Sequence, residues 1–303
     1  MSSFGEPRVN CAVGRPVVPC PSSCVAHSGL VTPIPAVGPT RRTCGFRAAD
    51  GGYGSDAGPY AVAHRGGAGL AAENTHEAFT RSVALGVRYL ETDVRLSADG
   101  VVMAFHDERV DRVTDLRGRV DRLSAKALGS TRVQGGGPVM SLAQALEAFP
   151  HQRFAVDVKS AAVIQPLVEV LRSTGATQRV CVAGAWDGWL SHLRDACGPG
   201  LRTALGWRSL TTLVACAKAG VRPPAAVATG EWVHVPVSMG RVPLVAERLV
   251  QMGAELGVRV LVWTVNDPTL MHRLLDVGVD GVITDRPDLL REVLLARGQW
   301  AGM

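Results

Sequence analysis

From Tyr60 to the C-terminus the chain repeats one unit: a short run rich in β-branched residues, then a longer amphipathic stretch. Parallel strands joined by crossover helices require this alternation, because a parallel neighbour is reached only by a connection long enough to cross the sheet. Strand signals fall at 61–64, 89–96, 101–106, 154–159, 179–183, 203–206, 226–228 with 233–237, 258–265 and 281–284. Helix signals fall at 75–85, 141–149, 162–173, 186–196, 209–219, 242–256, 268–277 and 287–296, the first with Asn74 as N-cap and Glu77 in its first turn. About eight units in about 245 residues is the count of a (β/α)8 TIM barrel, the α/β fold expected here. A doubly wound open sheet is the alternative.

Two stretches break the rhythm. Residues 1–56 are rich in Pro, Gly, Ser and Cys and lack periodicity, so a disordered or loosely attached extension is expected there, with the barrel domain spanning 57–303. Between Val101 and Pro138 a charged segment and a glycine run replace apolar periodicity, which predicts an insertion at the barrel mouth after the second strand. The seven cysteines are odd in number and form no CxxC pair, so neither a disulfide framework nor a zinc site is expected, and a reducing, cytoplasmic setting fits. The net charge of +5 is spread out, which argues against nucleic-acid binding. No long apolar run predicts an integral membrane segment.

In such a barrel the side chains at the C-terminal ends of the strands converge on one mouth. His64 and Arg65 end the first strand signal, followed by two glycines that let backbone N–H groups approach an anion. Arg65 is suited to a phosphate oxygen. Glu91 and Asp93 sit two apart, hence on one face of a strand. Buried together they would repel, and a divalent cation with oxygen ligands would remove that cost. The other reading is an exposed face neutralised by Arg88 or Arg95. His106 ends the run 101–105, and paired with His64 it offers acid/base chemistry near neutral pH. Asp157 and Lys159 again share a face: a third ligand and a cation for transition-state charge, or a plain buried ion pair. Trp263 is either an apolar wall for the alcohol portion of a substrate or barrel filling. No P-loop or GxSxG run is present.

His64-Arg65-Gly66, Glu73-Asn74-Thr75, Glu91-Thr92-Asp93, His106-Asp107, Trp263-Thr264-Val265-Asn266 and Gly278 to Pro287, in that order, closely resemble the glycerophosphodiester phosphodiesterases, with their phosphatidylinositol-phosphodiesterase-like TIM barrel. The resemblance implies hydrolysis of glycerophosphodiesters to glycerol 3-phosphate and an alcohol, a lipid and glycerol metabolic step. It implies Mg²⁺ or Ca²⁺ on Glu91, Asp93 and Asp157, His64 and His106 as the catalytic pair, and Arg65 and Lys159 on the phosphate. Two positions depart from the family: Ala72 replaces its usual Pro, and Asp157 its usual Glu, one methylene shorter. Two other readings keep the barrel. One is a phospholipase-D-like lyase acting on lysophospholipids or sphingomyelin. Such relatives carry a mouth-loop disulfide, whereas no Cys lies here between Cys44 and Cys181. The other is a barrel that binds phosphate esters without turning them over.

Overall fold

In the computed structural model, residues 51–302 are described, apart from 135, 228–229 and 241. The expected extension therefore lies mostly outside the described residues. Eight parallel strands follow one another around a barrel: Tyr60–Ala63, Tyr89–Leu96, Arg153–Val158, Val180–Gly184, Arg202–Thr203, Trp232–Pro236, Arg259–Trp263 and Gly281–Thr284. The first and last strands pair in register, Ala63 with Thr284. Between the fifth and sixth the ring is closed by one parallel bridge, Ala204 to Trp232, and by the Leu205 N–H donating to the Trp232 carbonyl at 2.8 Å. The helix after each strand packs outside, from His76–Ala84 through to Pro287–Ala296. The fold is thus the expected TIM barrel.

Period-two alternation sorts the side chains into two environments. Leu90, Val94, Phe154, Val156, Val158, Val180 and Val182 face the helices with Phe79, Leu142, Leu146 and Leu167, all but dry. Val233, Val235, Val260, Val262 and Val282 do the same on the other side. Each such buried side chain contributes about 1.5–3 kcal/mol. The inward residues form their own cluster: Tyr53, Tyr60, Val62, Tyr89, Ala155, Cys181, Ala204, Trp232, Leu261 and Ile283. At the strands' N-terminal ends this cluster is aromatic. Tyr53 and Tyr60 each pack edge-on against both Tyr89 and Trp232, with centroids 4.9–5.2 Å apart. Arg259 lies over the Trp232 ring at 5.0 Å. The barrel is floored at that end. Tyr53, although it precedes residue 57, is part of this floor at 1% exposure.

Local differences from the expectation have local causes. Thr75, not Asn74, caps the first helix, its hydroxyl accepting from the Ala78 N–H. Residues 225–227 form a 3-10 turn instead of a strand. The expected helix at 242–256 begins only at Glu247, because Val242–Pro243 pairs with Ser238–Met239 in a short hairpin. Val102–Ala104 runs antiparallel to the second barrel strand and leads into the insertion. That insertion has its own small core: Met103, Phe105, Val110, Val120, Leu128 and Val139.

Candidate active site

The chain leaves the first strand through a turn that few sequences tolerate. Arg65, Gly66 and Gly67 are all left-handed, with φ of 49°, 79° and 98°. A Cβ on Gly66 would meet the Phe79 ring at 2.2 Å, so only glycine fits. Arg65 and Asn74, the two non-glycine positive-φ residues among those described, are joined by the Asn74 N–H donating to the Arg65 carbonyl at 2.8 Å. Strain of about 1–3 kcal/mol at each is offset by what the turn aims. The Arg65 N–H donates to Glu91 Oε2 at 2.7 Å. The Asn74 amide donates to Asp93 Oδ2 at 3.3 Å and accepts from the Thr92 hydroxyl at 2.8 Å.

Glu91 and Asp93 are 7% and 1% exposed, which removes the reading of a solvated strand face. Arg88 turns to Asp56 and Arg95 to the His106 carbonyl instead. Burial, then the charge of Asp93, pushes the Glu91 carboxyl up to about 7. Burial acts the same way on Asp93, but Lys159, His106 and Arg65 outweigh it and hold that carboxyl low. Asp157 pairs in register beside Asp93 on the third strand. Lys159 Nζ donates to Asp157 Oδ2 at 2.6 Å and reaches Asp93 Oδ1 at 2.8 Å. The Asp157–Lys159 ion pair therefore exists, at the mouth. Burial lowers the Lys159 proton affinity, and the two carboxylates more than restore it.

Two imidazoles face this group, each steadied by a carboxylate at Nδ1. His64 meets Asp285 at 2.7 Å, leaving Nε2 3.9 Å from Glu91 Oε2. Burial would lower the His64 pKa, but Glu91 and Asp285 raise it above its ordinary value. Asp285 is itself fixed by Asn266, whose amide donates to Oδ2 at 2.7 Å and whose Oδ1 accepts the Asp285 N–H at 2.9 Å. His106 meets Asp107 at 2.6 Å. Arg112 bridges Asp107 (2.5 Å) to Glu73 (2.6 Å), and Glu73 pairs with Arg65 at 3.0 Å. The insertion is thereby wired to the first turn. Burial would raise Asp107, but Arg112 and His106 bring its carboxyl down to about 2.

All eight residues singled out above, His64, Arg65, Glu91, Asp93, His106, Asp157, Lys159 and Trp263, line a single cavity of about 360 Å³. Its far wall is largely apolar: Ala183, Leu205, Leu210 and Trp263, with His234 among them. Glu73, Asn266 and Asp285 lie in the motifs quoted above without an assigned role, and the structure gives them contacts to the site; His234 lies outside those motifs. The three carboxylates present oxygen donors of the kind Mg²⁺ and Ca²⁺ take. Burial, then the neighbouring Asp93, makes Glu91 hold its proton, which a cation bound here would have to displace. Among the described residues no three acidic, His or Cys side chains close on one point, because the Lys159 ammonium stands between Asp93 and Asp157. A cation held there would have to displace the Lys159 ammonium from Asp93 and Asp157.

The model of the glycerophosphoryl diester phosphodiesterase family matches residues 64–289. "Probable glycerophosphodiester phosphodiesterase 2" of Mycobacterium tuberculosis is 36% identical over 252 residues, covering 81% of this chain and 94% of that protein. The crystal structure of a glycerophosphodiester phosphodiesterase from Agrobacterium tumefaciens superposes with a TM-score of 0.63 at 22% identity, over 76% of this chain and 98% of that one. A phosphodiesterase from Oleispira antarctica, solved with its product sn-glycerol-3-phosphate, gives a TM-score of 0.61 at 21% identity, over 77% and 95%. At such identities the two structures speak for the fold.

Proposed function

The chain belongs to the glycerophosphoryl diester phosphodiesterase family, and from that premise we propose that it hydrolyses glycerophosphodiesters to glycerol 3-phosphate and an alcohol through the His64–His106 pair. The observation that carries this reading is the pair of carboxylate-anchored imidazoles lining one cavity with three carboxylates, Arg65 and Lys159. Arg65 and Lys159 share the charge of the bound phosphate. One imidazole takes the proton of the attacking hydroxyl, either from water, which gives glycerol 3-phosphate directly, or from the neighbouring glycerol hydroxyl, which closes a cyclic phosphate that water then opens in a second step. The other gives a proton to the departing alcohol oxygen as the P–O bond breaks, so charge never accumulates on either oxygen. Glu91, Asp93 and Asp157 would hold Mg²⁺ or Ca²⁺, which when bound supplies positive charge against the phosphate.

The test is product analysis on metal-stripped and metal-restored protein with a panel of glycerophosphodiesters. Glycerol 3-phosphate formed only after Mg²⁺ or Ca²⁺ is returned supports the reading. A cyclic phosphate as sole end product, or equal rates in chelator, overturns it.

A further inference from the structure

The sixth strand, Trp232–Pro236, stands four places from the second in the ring, diametrically opposite the carboxylates. Its Val233 and Val235 face the helices and its Trp232 faces the barrel interior, so the period of two turns His234 inward. His234 lines the active-site cavity on the wall otherwise built from Ala183, Leu205, Leu210 and Trp263. Unlike His64 and His106 it meets no carboxylate among the described residues. Its Nε2 is shielded from solvent and finds no hydrogen-bond partner among them.

An imidazole in a nearly apolar wall is an expensive choice over Leu or Val unless something polar arrives to meet it. Burial lowers its pKa to about 4, so the ring is neutral at physiological pH. A neutral imidazole offers one N–H donor and one lone pair. Whichever tautomer the ring holds, an alcohol hydroxyl can answer Nε2, because a hydroxyl both donates and accepts; a phosphate oxygen answers only Nε2–H, and a quaternary ammonium answers neither form.

We propose that His234 is a specificity residue, hydrogen-bonding a hydroxyl of the bound diester on the side of the cavity away from the carboxylates. The inference rests on the phosphodiesterase reading above. The hydroxyl belongs either to the glycerol common to all substrates or to the alcohol portion, and the choice of substrates separates the two.

The experiment compares wild type with His234→Leu and His234→Gln on glycerophosphoglycerol and glycerophosphocholine, with inorganic phosphate as competitive inhibitor. Choline carries no hydroxyl, and phosphate carries neither alcohol. Loss of one neutral hydrogen bond predicts a KM raised roughly three- to tenfold in His234→Leu, with kcat moved less. Gln, which keeps a donor and an acceptor, recovers part of it. A rise confined to glycerophosphoglycerol assigns the hydroxyl to the alcohol portion; an equal rise on both assigns it to glycerol. An unchanged KM on both overturns the proposal. So does an inhibition constant for phosphate weakened by the same factor, since that marks a contact to the phosphate itself or a distorted pocket. Should the Leu variant not fold, His234→Phe, which removes both nitrogens, takes its place. Wild-type turnover on the same panel tests the phosphodiesterase reading separately.

Discussion

His64 and Asp285, 221 residues apart, meet Nδ1 to Oδ1 at 2.7 Å where the first and last barrel strands end side by side. Closure of the barrel thus decides which imidazole nitrogen faces the cavity: Asp285 accepts the hydrogen bond from Nδ1–H, and Nε2 is turned inward. Asp285→Asn replaces the acceptor with a mixed group and removes a charge that raises the His64 pKa. We expect kcat to fall roughly 10- to 1000-fold. The pH–rate limb belonging to His64 should move to lower pH, read from a kcat/KM profile with unfolding midpoints as control.

His64→Ala and His106→Ala should each lower kcat by about 10²–10⁴-fold while circular dichroism stays that of the wild type. Near-normal turnover by either variant would remove that residue from the chemistry.

Glu91 gives a pH signature to the metal-free protein. Its carboxyl rises to about 7 through burial and the neighbouring Asp93, from an ordinary value of 4.5. Between those values the folded chain holds a proton that the unfolded chain has released. Its contribution to stability is therefore complete below about 4.5 and is lost as pH rises through about 7. A cation on Glu91, Asp93 and Asp157 competes with that proton. Ca²⁺ or Mg²⁺ should raise Tm more at pH 8 than at pH 5.5. A Tm indifferent to both ions at pH 8 would contradict the assigned ligand set.

Lys159→Met separates two roles of one ammonium. Removing it takes a cation from the phosphate, so kcat should drop at least tenfold. It also frees Asp93 and Asp157 from an ion pair at 2.8 and 2.6 Å, so the affinity for Ca²⁺ should rise. Titration calorimetry beside the kinetic assay reads both. Weaker metal binding in the variant would show that the lysine organises the carboxylates instead of competing for them.

Gly281 fits against the first strand only because it lacks a side chain: a Cβ would meet the Tyr60 carbonyl oxygen at 2.4 Å and Leu261 Cδ2 at 2.8 Å. Gly281→Ala should destabilise by about 1–3 kcal/mol in denaturant titrations.

The strand-borne half of the site was readable because its spacing is local. Glu91 with Asp93, and Asp157 with Lys159, are two apart on strands, so geometry follows from sequence alone. The groups that hold the proposed catalytic ones were not readable in this way. Asp285 reaches His64, and Glu73 reaches Arg112, only through barrel closure and the fold of the insertion. His234 obeys the same period-two rule as Glu91, but with Trp232 and Pro236 two places to either side no second polar group marks it. Tyr53 belongs to the barrel floor without belonging to any strand, so no periodicity marks it. The N-cap went to Thr75 because Asn74 was needed, in a left-handed conformation, to brace Asp93.

The four interlocked rings under the barrel make the reaction chamber a cul-de-sac. Whatever enters the cavity must turn round and leave by the side it came in. On the proposed reading a glycerol phosphate held by Arg65 and Lys159 bars the next diester from its place, so accumulating product should act as a competitive brake on turnover.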